Sequence, residues 1–591
     1  MKHKFIGLLV GLGMFASCDD YLTRNPLDTV TDTPEFWNNE DNINTVVLGL
    51  YDVYFEGYRT SWNRADWFAE TEIADWNDDN AQQQATYFTL VAPATDTKHW
   101  KFDYVRRINI IIDRVSKTTL LPEETRNHWL GVGRFLRAME YAKLVSKFGD
   151  VPWYSKPLEN TDYEELYKAR TPRTEVMDNV LADLKFAYEN IRLTSPVKGL
   201  YINKDVAYAF GSRIMLFEGT WQKYNEGNAA KATEYLQAAK EAADALIQSG
   251  RYTLCKNWKS LTTSADLAGN PEIIIYRSYV ESVLMHSLMT FQVTESEINS
   301  PSKSLIETYL SSNGLPISQP ENTLYKGDKW FYDEIADRDP RLYENIDTTG
   351  LRLTGVVPVW AVSGYFGNRF VNPALVGTPG GQSSTCITDA PVMKYNEVLL
   401  NYAEAAAELQ QLGAYSLSQA DLDKTINVIR DRESTQMPHV TLQGDALAVN
   451  GTVVSDPEKD ADVPAVIWEI RRERRVELVY EGIRFNDIRR WGKLEYADMS
   501  KNTKLNKGAW LDKQQYIDWY NAKYRPDEPL TLDALSGVTL DRAGNAGYIL
   551  PITDKSKLRT TAPKDYLYPI PQDQITLYKN QNKVLENNPG W

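Results

Sequence analysis

Long stretches of this chain repeat apolar residues at helical spacing, and they are separated by stretches with no period at all. Pro34 suits the first position of an opening helix. From Trp100, WKFDYVRRINIIIDRV and then WLGVGRFLRAMEYAKLVSKFGDVPW place apolar or small residues about every three or four positions, and Gly149 with Pro152 closes the second run. Thr174–Ile191, Lys204–Tyr224 and the alanine-rich Ala229–Ser249 continue the pattern. It resumes in VMKYNEVLLNYAEAAAELQQLG, where Tyr395, Val398, Leu399, Tyr402, Ala405, Ala406 and Leu409 share one face and Gly413 can cap the end. Asp421–Glu433 reads as its partner. Paired helices with alanine and aromatic contacts and short loops predict a tetratricopeptide-like stack.

One helical stretch differs from the others. From Pro464 to Gly492 the apolar residues spread around the whole circumference instead of forming a stripe, so the spacing predicts a long helix covered on several sides, with a kink at Gly482. Glu469, Glu473, Glu477 and Glu481 recur every fourth residue, and like charges so placed repel unless cations reach them. A catalytic carboxylate pair would need a cleft and unequal environments. The reading preferred here is a buried ion-pair network among Glu473, Arg474, Arg475, Glu477 and Asp487, with further cations from other segments.

The stretches without period are rich in aromatics and amides. Between Tyr58 and Trp100, Trp62, Trp67, Trp76, Asn77 and Asp78 sit in a segment read as a helix at Trp67–Ile73 followed by a long loop. RYTLCKNWKSL and NPEIIIYRSYVE read as turn-bounded strands, Pro301–Tyr309 as a helix, and Val356–Thr388 as a Gly/Pro/Asn-rich loop carrying Trp360, Tyr365, Phe366 and Phe370. Asn450-Gly451 between β-prone runs predicts a hairpin. Residues 493–565 read as mostly irregular, with Trp510, Tyr516, Trp519, Tyr520 and Tyr524. Exposed rings beside amides and carboxylates suit sugars, because a flat apolar face covers the C–H face of a pyranose while polar groups fix its hydroxyls. The stacking candidates are Trp62, Trp76, Tyr279, Trp360 and Tyr365, with Asn77 and Asp78 as hydroxyl partners. Trp510 and Trp519 are the reserve, whereas Trp100, Trp468 and Trp491 lie in helical patterns and are assigned to the core.

The N-terminus and the charge narrow the function further. Lys2, His3 and Lys4 precede an apolar run, Phe5–Phe15, too short to span a bilayer, and Ala16, Ser17 and Cys18 follow. That order reads as a secretory signal over 1–17, with Cys18 the lipid-bearing first residue of the mature chain. Removing 1–17 takes away Lys2 and Lys4 and no acid, so the formal charge of −15 becomes −17, which argues against a nucleic-acid partner. Cys255 and Cys386 could form one bridge or stay as buried thiols, so the core must carry the stability. The sequence contains no Gly-rich phosphate loop, HExxH, paired CxxC or GxSxG, and five scattered histidines give metal chemistry no support. Glycoside hydrolysis needs only two placed carboxylates, which 80 acids supply by chance, so it stays the enzymatic alternative.

Four segments resemble one family. ERRVELVYEGIRFNDIRRWGK resembles the Glu-Arg-Arg and Glu-Gly-x-Arg-x-x-Asp-x-x-Arg-Trp signature of the SusD/RagB outer-membrane nutrient-binding lipoproteins of Bacteroidetes. The closing YLYPIPQDQITLYKNQNKVLENNPGW, GRFLRAMEYAKLVSKFGDVPW and RDPRLYENI resemble further motifs of that family. The resemblance implies a mainly α, SusD-like single domain over 18–591. Its helical repeat body spans about 30–250 and 390–492, wrapped by loop-rich ligand-binding insertions at about 250–390 and 493–565. It also implies a non-catalytic, cofactor-free protein anchored in the outer membrane through Cys18 and exposed at the cell surface. Such a protein captures glycan, or peptide in RagB-like members, and delivers it to a SusC-like TonB-dependent transporter.

Overall fold

The structure, a computed structural model, describes residues 32–60, 92–96, 98–294 and 300–591. Cys18, the helix expected at Trp67–Ile73, and Trp62, Trp76, Asn77 and Asp78 lie outside the described residues. The chain enters through α1 (Pro34–Trp37), with Pro34 in its first turn as expected, and α2 (Glu40–Leu48), capped by the Asn39 side chain. Five longer helices follow: α3 (Asp103–Ser116), α4 (Glu123–Phe148), α5 (Arg173–Asn190), α6 (Lys204–Tyr224) and α7 (Ala229–Ser249). Each packs on the next in sequence, which makes the stack predicted from the apolar spacing. Close approach depends on small residues. A Cβ at Gly219 would stand 2.7 Å from the Leu236 side chain, and one at Gly211 would strike the Tyr188 hydroxyl, so α6 can lie tight against both neighbours. Buried ion pairs tie successive helices, Arg137 to Asp183 at 2.7 Å and Arg173 to Glu218 at 2.7 Å.

After Gly250 the chain leaves the stack. RYTLCKNWKSL is not a strand: it is irregular and ends in a single helical turn at Ser260–Thr263. Its backbone finds partners singly, Thr253 N–H on Pro271 O and Cys255 N–H on Glu272 Oε2, and never forms a ladder. The strand beside it, β1 (Ile273–Arg277), pairs antiparallel with β2 (Ala390–Lys394) far along the chain. Between them run the short helices α8 (Lys303–Thr308) and α9 (Pro340–Asn345) and long loops. The chain rejoins the stack as α10 (Tyr395–Gln411) against α7. The partner expected at Asp421–Glu433 is two short helices, Gln419–Asp423 and Ile426–Arg430. The predicted hairpin is present as β4 (Ala446–Val449) and β5 (Thr452–Val453), with β3 (Thr441–Gln443) added at its edge. Asn450 and Gly451 carry the turn at φ 50° and 81°. Cys255 and Cys386 are both buried free thiols.

The stretch from Pro464 to Gly492 is two helices, α11 (Ala465–Glu477) and α12 (Arg484–Arg490), and not the single kinked helix expected from its pattern. Tyr480 and Gly482 both adopt left-handed backbone, φ 60° and 76°, which no helix continues through. The turn returns Asp487 to within 2.8 Å of Arg474 and sends Glu481 to Arg369 and Lys394. Covering on several sides is as predicted. Val466, Ile467 and Ile470 belong to the apolar core of the stack, whereas Val476 and Val479 belong to a second core built on Trp258, Tyr309, Leu342, Tyr365 and Tyr516.

The carboxylates of α11 join these two cores. Glu473 meets Arg341 of α9 at 2.7 Å and Arg430 at 2.9 Å, and Glu477 meets Arg341 at 2.9 Å and Arg432 at 2.8 Å. Burial pushes the Glu473 carboxyl up, but Arg341 and Arg430 more than offset it and hold its pKa at about 2. Asn396 of α10 also donates to Glu477 at 2.8 Å, and Arg432 continues to Glu272 at 2.8 Å. Truncating one member strands a buried charge, so Glu477→Ala and Arg432→Ala should each lower unfolding stability by about 3–5 kcal/mol in denaturant titrations. Lys256→Ala, from an exposed pair with Glu433, should change it by no more than about 0.5 kcal/mol. Equal midpoints for all three would mean the α11 charges are solvated.

Candidate functional site

The expected stacking residues divide sharply. Tyr279 and Tyr365 are 3% and 1% exposed, so neither offers a ring face to a ligand, contrary to the exposure expected of them. Tyr279 donates its hydroxyl to Arg59 O at 2.8 Å and its backbone N–H to Asp389 Oδ1 at 2.8 Å, and packs on Tyr58 and His286. His286 is itself buried and neutral: its Nδ1 accepts from Leu288 N–H, its Nε2 donates to Thr388 O, and burial pulls its pKa to about 4. This cluster fixes the backbone at Arg59. Tyr365 donates to both oxygens of Glu334 at 2.8 Å, and Glu334 also holds Lys303 at 2.9 Å. Tyr279 lies just past the end of β1 and Tyr365 in the loop expected for it, but both rings serve the loop-side core. Trp360 is half-buried. Its loop is closed by Ala361 N–H on Arg352 O and by Val362 N–H on Ser300 Oγ. Trp100 and Trp491 are buried as expected, while Trp468 is half-buried with its indole N–H on Asp456.

A surface group of rings stands in the segment read as irregular. Residues 510–548 in fact hold β6 (Trp510–Asp512), paired with β7 (Ala546–Tyr548), and α13 (Lys513–Tyr524). Along α13, Tyr516, Trp519, Tyr520 and Tyr524 fall on one face at helical spacing. Tyr516 is buried with its hydroxyl on Leu351 O, Trp519 and Tyr520 are half-buried, and Tyr524 is exposed. Trp330 and Tyr332, on either side of the buried Phe331, complete the group: Trp519 lies 5.9 Å from Trp330 and 5.6 Å from Tyr332, edge-on or tilted. A Cβ at Gly350 would meet Trp519 at 2.8 Å, so glycine lets the ring settle on the loop that also carries Trp360. Lys523 reaches the rings of Trp519, Tyr524 and Tyr332, and Lys329 lies 3.6 Å over Trp510. The arrangement groups aromatic rings with two lysine ammoniums that lie over some of their faces. Among the described residues no three His, Cys, Asp or Glu side chains converge to share a metal ion.

Residues 354–591 match the SusD family model, and residues 20–216 match a model described as starch-binding, associating with outer membrane. The chain belongs to the SusD/RagB family. A SusD-like protein of Formosa agariphila is 23% identical over 522 residues, which cover 82% of this chain and 90% of that protein. A SusD-like carbohydrate binding protein from Bacteroides fragilis shares the fold with TM-score 0.64 at 22% identity, over 92% of this chain and 98% of its own. A laminarin binding SusD-like protein does so with TM-score 0.52 at 18% identity, over 94% and 100%.

In this SusD/RagB member the shared motifs do structural work. In RDPRL, Arg338 donates to the carbonyls of Ile306, Tyr309 and Glu334. Asp339 caps α9 and clamps the Arg341 guanidinium, and Pro340 occupies the first turn. At the C-terminus, Asn588 donates to Phe148 O and Tyr568 O and accepts from Arg170, which pins the tail to the end of α4. The ring group carries none of these motifs. Tyr516 anchors it in the loop-side core, and how little its outermost ring adds is testable by melting. Tyr365→Phe removes a donor from a buried carboxylate and should cost about 1.5–3 kcal/mol, whereas Tyr524→Ala at the surface should stay within about 0.5 kcal/mol.

Proposed function

We propose that this protein captures glycan at the cell surface and hands it to a SusC-like TonB-dependent transporter, held in the outer membrane by acyl chains on Cys18. Family membership supports the class of protein, and the carbohydrate-binding and laminarin-binding descriptions of its structural neighbours support the class of ligand. The observation that carries the reading is the half-exposed ring group of Trp330, Tyr332, Trp519 and Tyr524 on the loop-rich side. Rings tilted against one another can offer successive faces to successive sugar units, and the Lys523 ammonium beside them can donate to hydroxyls. Trp360 is a further proposed contact, as are Trp62, Trp76, Asn77 and Asp78 in the segment outside the described residues. Tyr279 would contribute by fixing the backbone from which the Trp62–Asp78 segment departs.

Calorimetric titration of the protein lacking residues 1–18 with a broad oligosaccharide panel tests this reading. At least one glycan should bind without release of reducing ends. Trp519→Ala should weaken it roughly thirtyfold, about 2 kcal/mol. Binding unchanged in every ring variant, or turnover of the glycan, would overturn the proposal.

A further inference from the structure

A second cleft, of about 750 Å³, lies between α11, α8, the ends of α12 and the segments at 316–328, 456–461 and 491–504. Its volume falls within the roughly 300–1,000 Å³ of small-ligand sites. It shares no lining residue with the indentation between Trp330, Trp510 and Trp519. Arg471 forms part of its wall. That side chain is 4% exposed, and its Nε and Nη1 have no hydrogen-bond partner. Its guanidinium packs 4.3 Å from the Trp491 ring centre and 5.0 Å from that of Tyr224, contacts that supply no oxygen to its N–H groups. The third nitrogen reaches Glu408 at 3.2 Å, but Glu408 is already taken by Lys223 at 2.5 Å and by the Tyr224 hydroxyl. One carboxylate therefore serves two cations. Lys459, also on the cleft, donates only to the carbonyls of Asp460 and Val463. By contrast Arg472, the next residue on α11, is matched by both Glu469 and Asp456.

We propose that this cleft binds a sugar carrying a carboxylate, with Arg471 and Lys459 receiving the anionic group. Buried guanidinium N–H groups without acceptors are what a charge-assisted partner would complete. A sugar fits better than a bare anion, because Trp468, Tyr325 and Tyr496 line the same space as half-buried rings. A polysulfated or polyphosphorylated ligand fits worse. Glu458, Asp460 and Glu495 also face the cleft and would repel each additional charge. The inference goes beyond glycan capture at the surface rings, since it rests on the charge balance around Arg471 and not on them.

The test titrates the protein lacking residues 1–18 with short uronate oligosaccharides of several hexose types and with their methyl esters, which keep the sugar and remove the charge. The wild-type protein should bind at least one acid tenfold or more tighter than its ester. Arg471→Lys keeps the cation but loses the Nε and Nη1 donors, and it should bring that ratio close to one. If that variant melts early, Lys459→Gln takes its place with the same expectation. Equal binding of every acid and ester by the wild type, or an unchanged ratio in a folded variant, would overturn the proposal. Glycan capture by the surface rings is read from neutral oligosaccharides, so either proposal can fail alone.

Discussion

The rest of the structure depends on the buried carboxylates of α11 finding their guanidinium partners. Four glutamates at every fourth position would repel one another on an isolated helix. Here Glu473 and Glu477 are sealed from water and shared among Arg341, Arg430 and Arg432, which come from two segments far apart in the chain. Removing such charges from water costs about as much as their attraction returns, so the junction adds little net stability by existing. Its consequence is selectivity. An arrangement that misplaces α9 against α11 strands several buried charges at once.

The proposed ligand surface and the buried charge junction occupy different residues. The stack holds itself by apolar contact and by helix-to-helix pairs such as Arg137–Asp183. The loop-rich side has its own core, with Tyr279 and Tyr365 inside it. Trp330, Trp519 and Tyr524 stand at its edge, Trp519 and Tyr524 on α13 and Trp330 at the start of the short helix Phe331–Glu334. A ring held on a braced backbone loses little freedom when a sugar covers it.

How much of this could be read from residues alone depended on whether a signal was local. Helix spans in the stack follow from apolar spacing and glycine stops, and the Lys204–Tyr224 and Ala229–Ser249 limits agree to the residue. The Asn450-Gly451 turn is likewise a property of two residues. Pairing is not local: RYTLCKNWKSL has strand-like composition but no available partner, because β1 pairs with a segment more than a hundred residues later. Burial is not local either, and nothing in their own sequence neighbourhoods distinguishes Tyr279 and Tyr365 from exposed loop rings. The break at Tyr480 serves contacts to Arg369 and Lys394 that no single segment reveals. The ring group on α13 was findable, since Tyr516, Trp519, Tyr520 and Tyr524 sit at helical spacing, but the surrounding Pro, Gly and Asp residues hid the helix. Trp330 and Tyr332 carry a weaker signal, two rings alternating around a buried Phe331.

Hydrogen exchange on an Arg341→Met variant tests the junction most directly. Met keeps much of the volume at that position and leaves Glu473 and Glu477 each short of one cation. If the junction joins the two cores, protection should fall together in α9, in α11 and in the β1–β2 pair. Loss confined to α9, with α11 and β1–β2 exchanging as in the wild type, would contradict it.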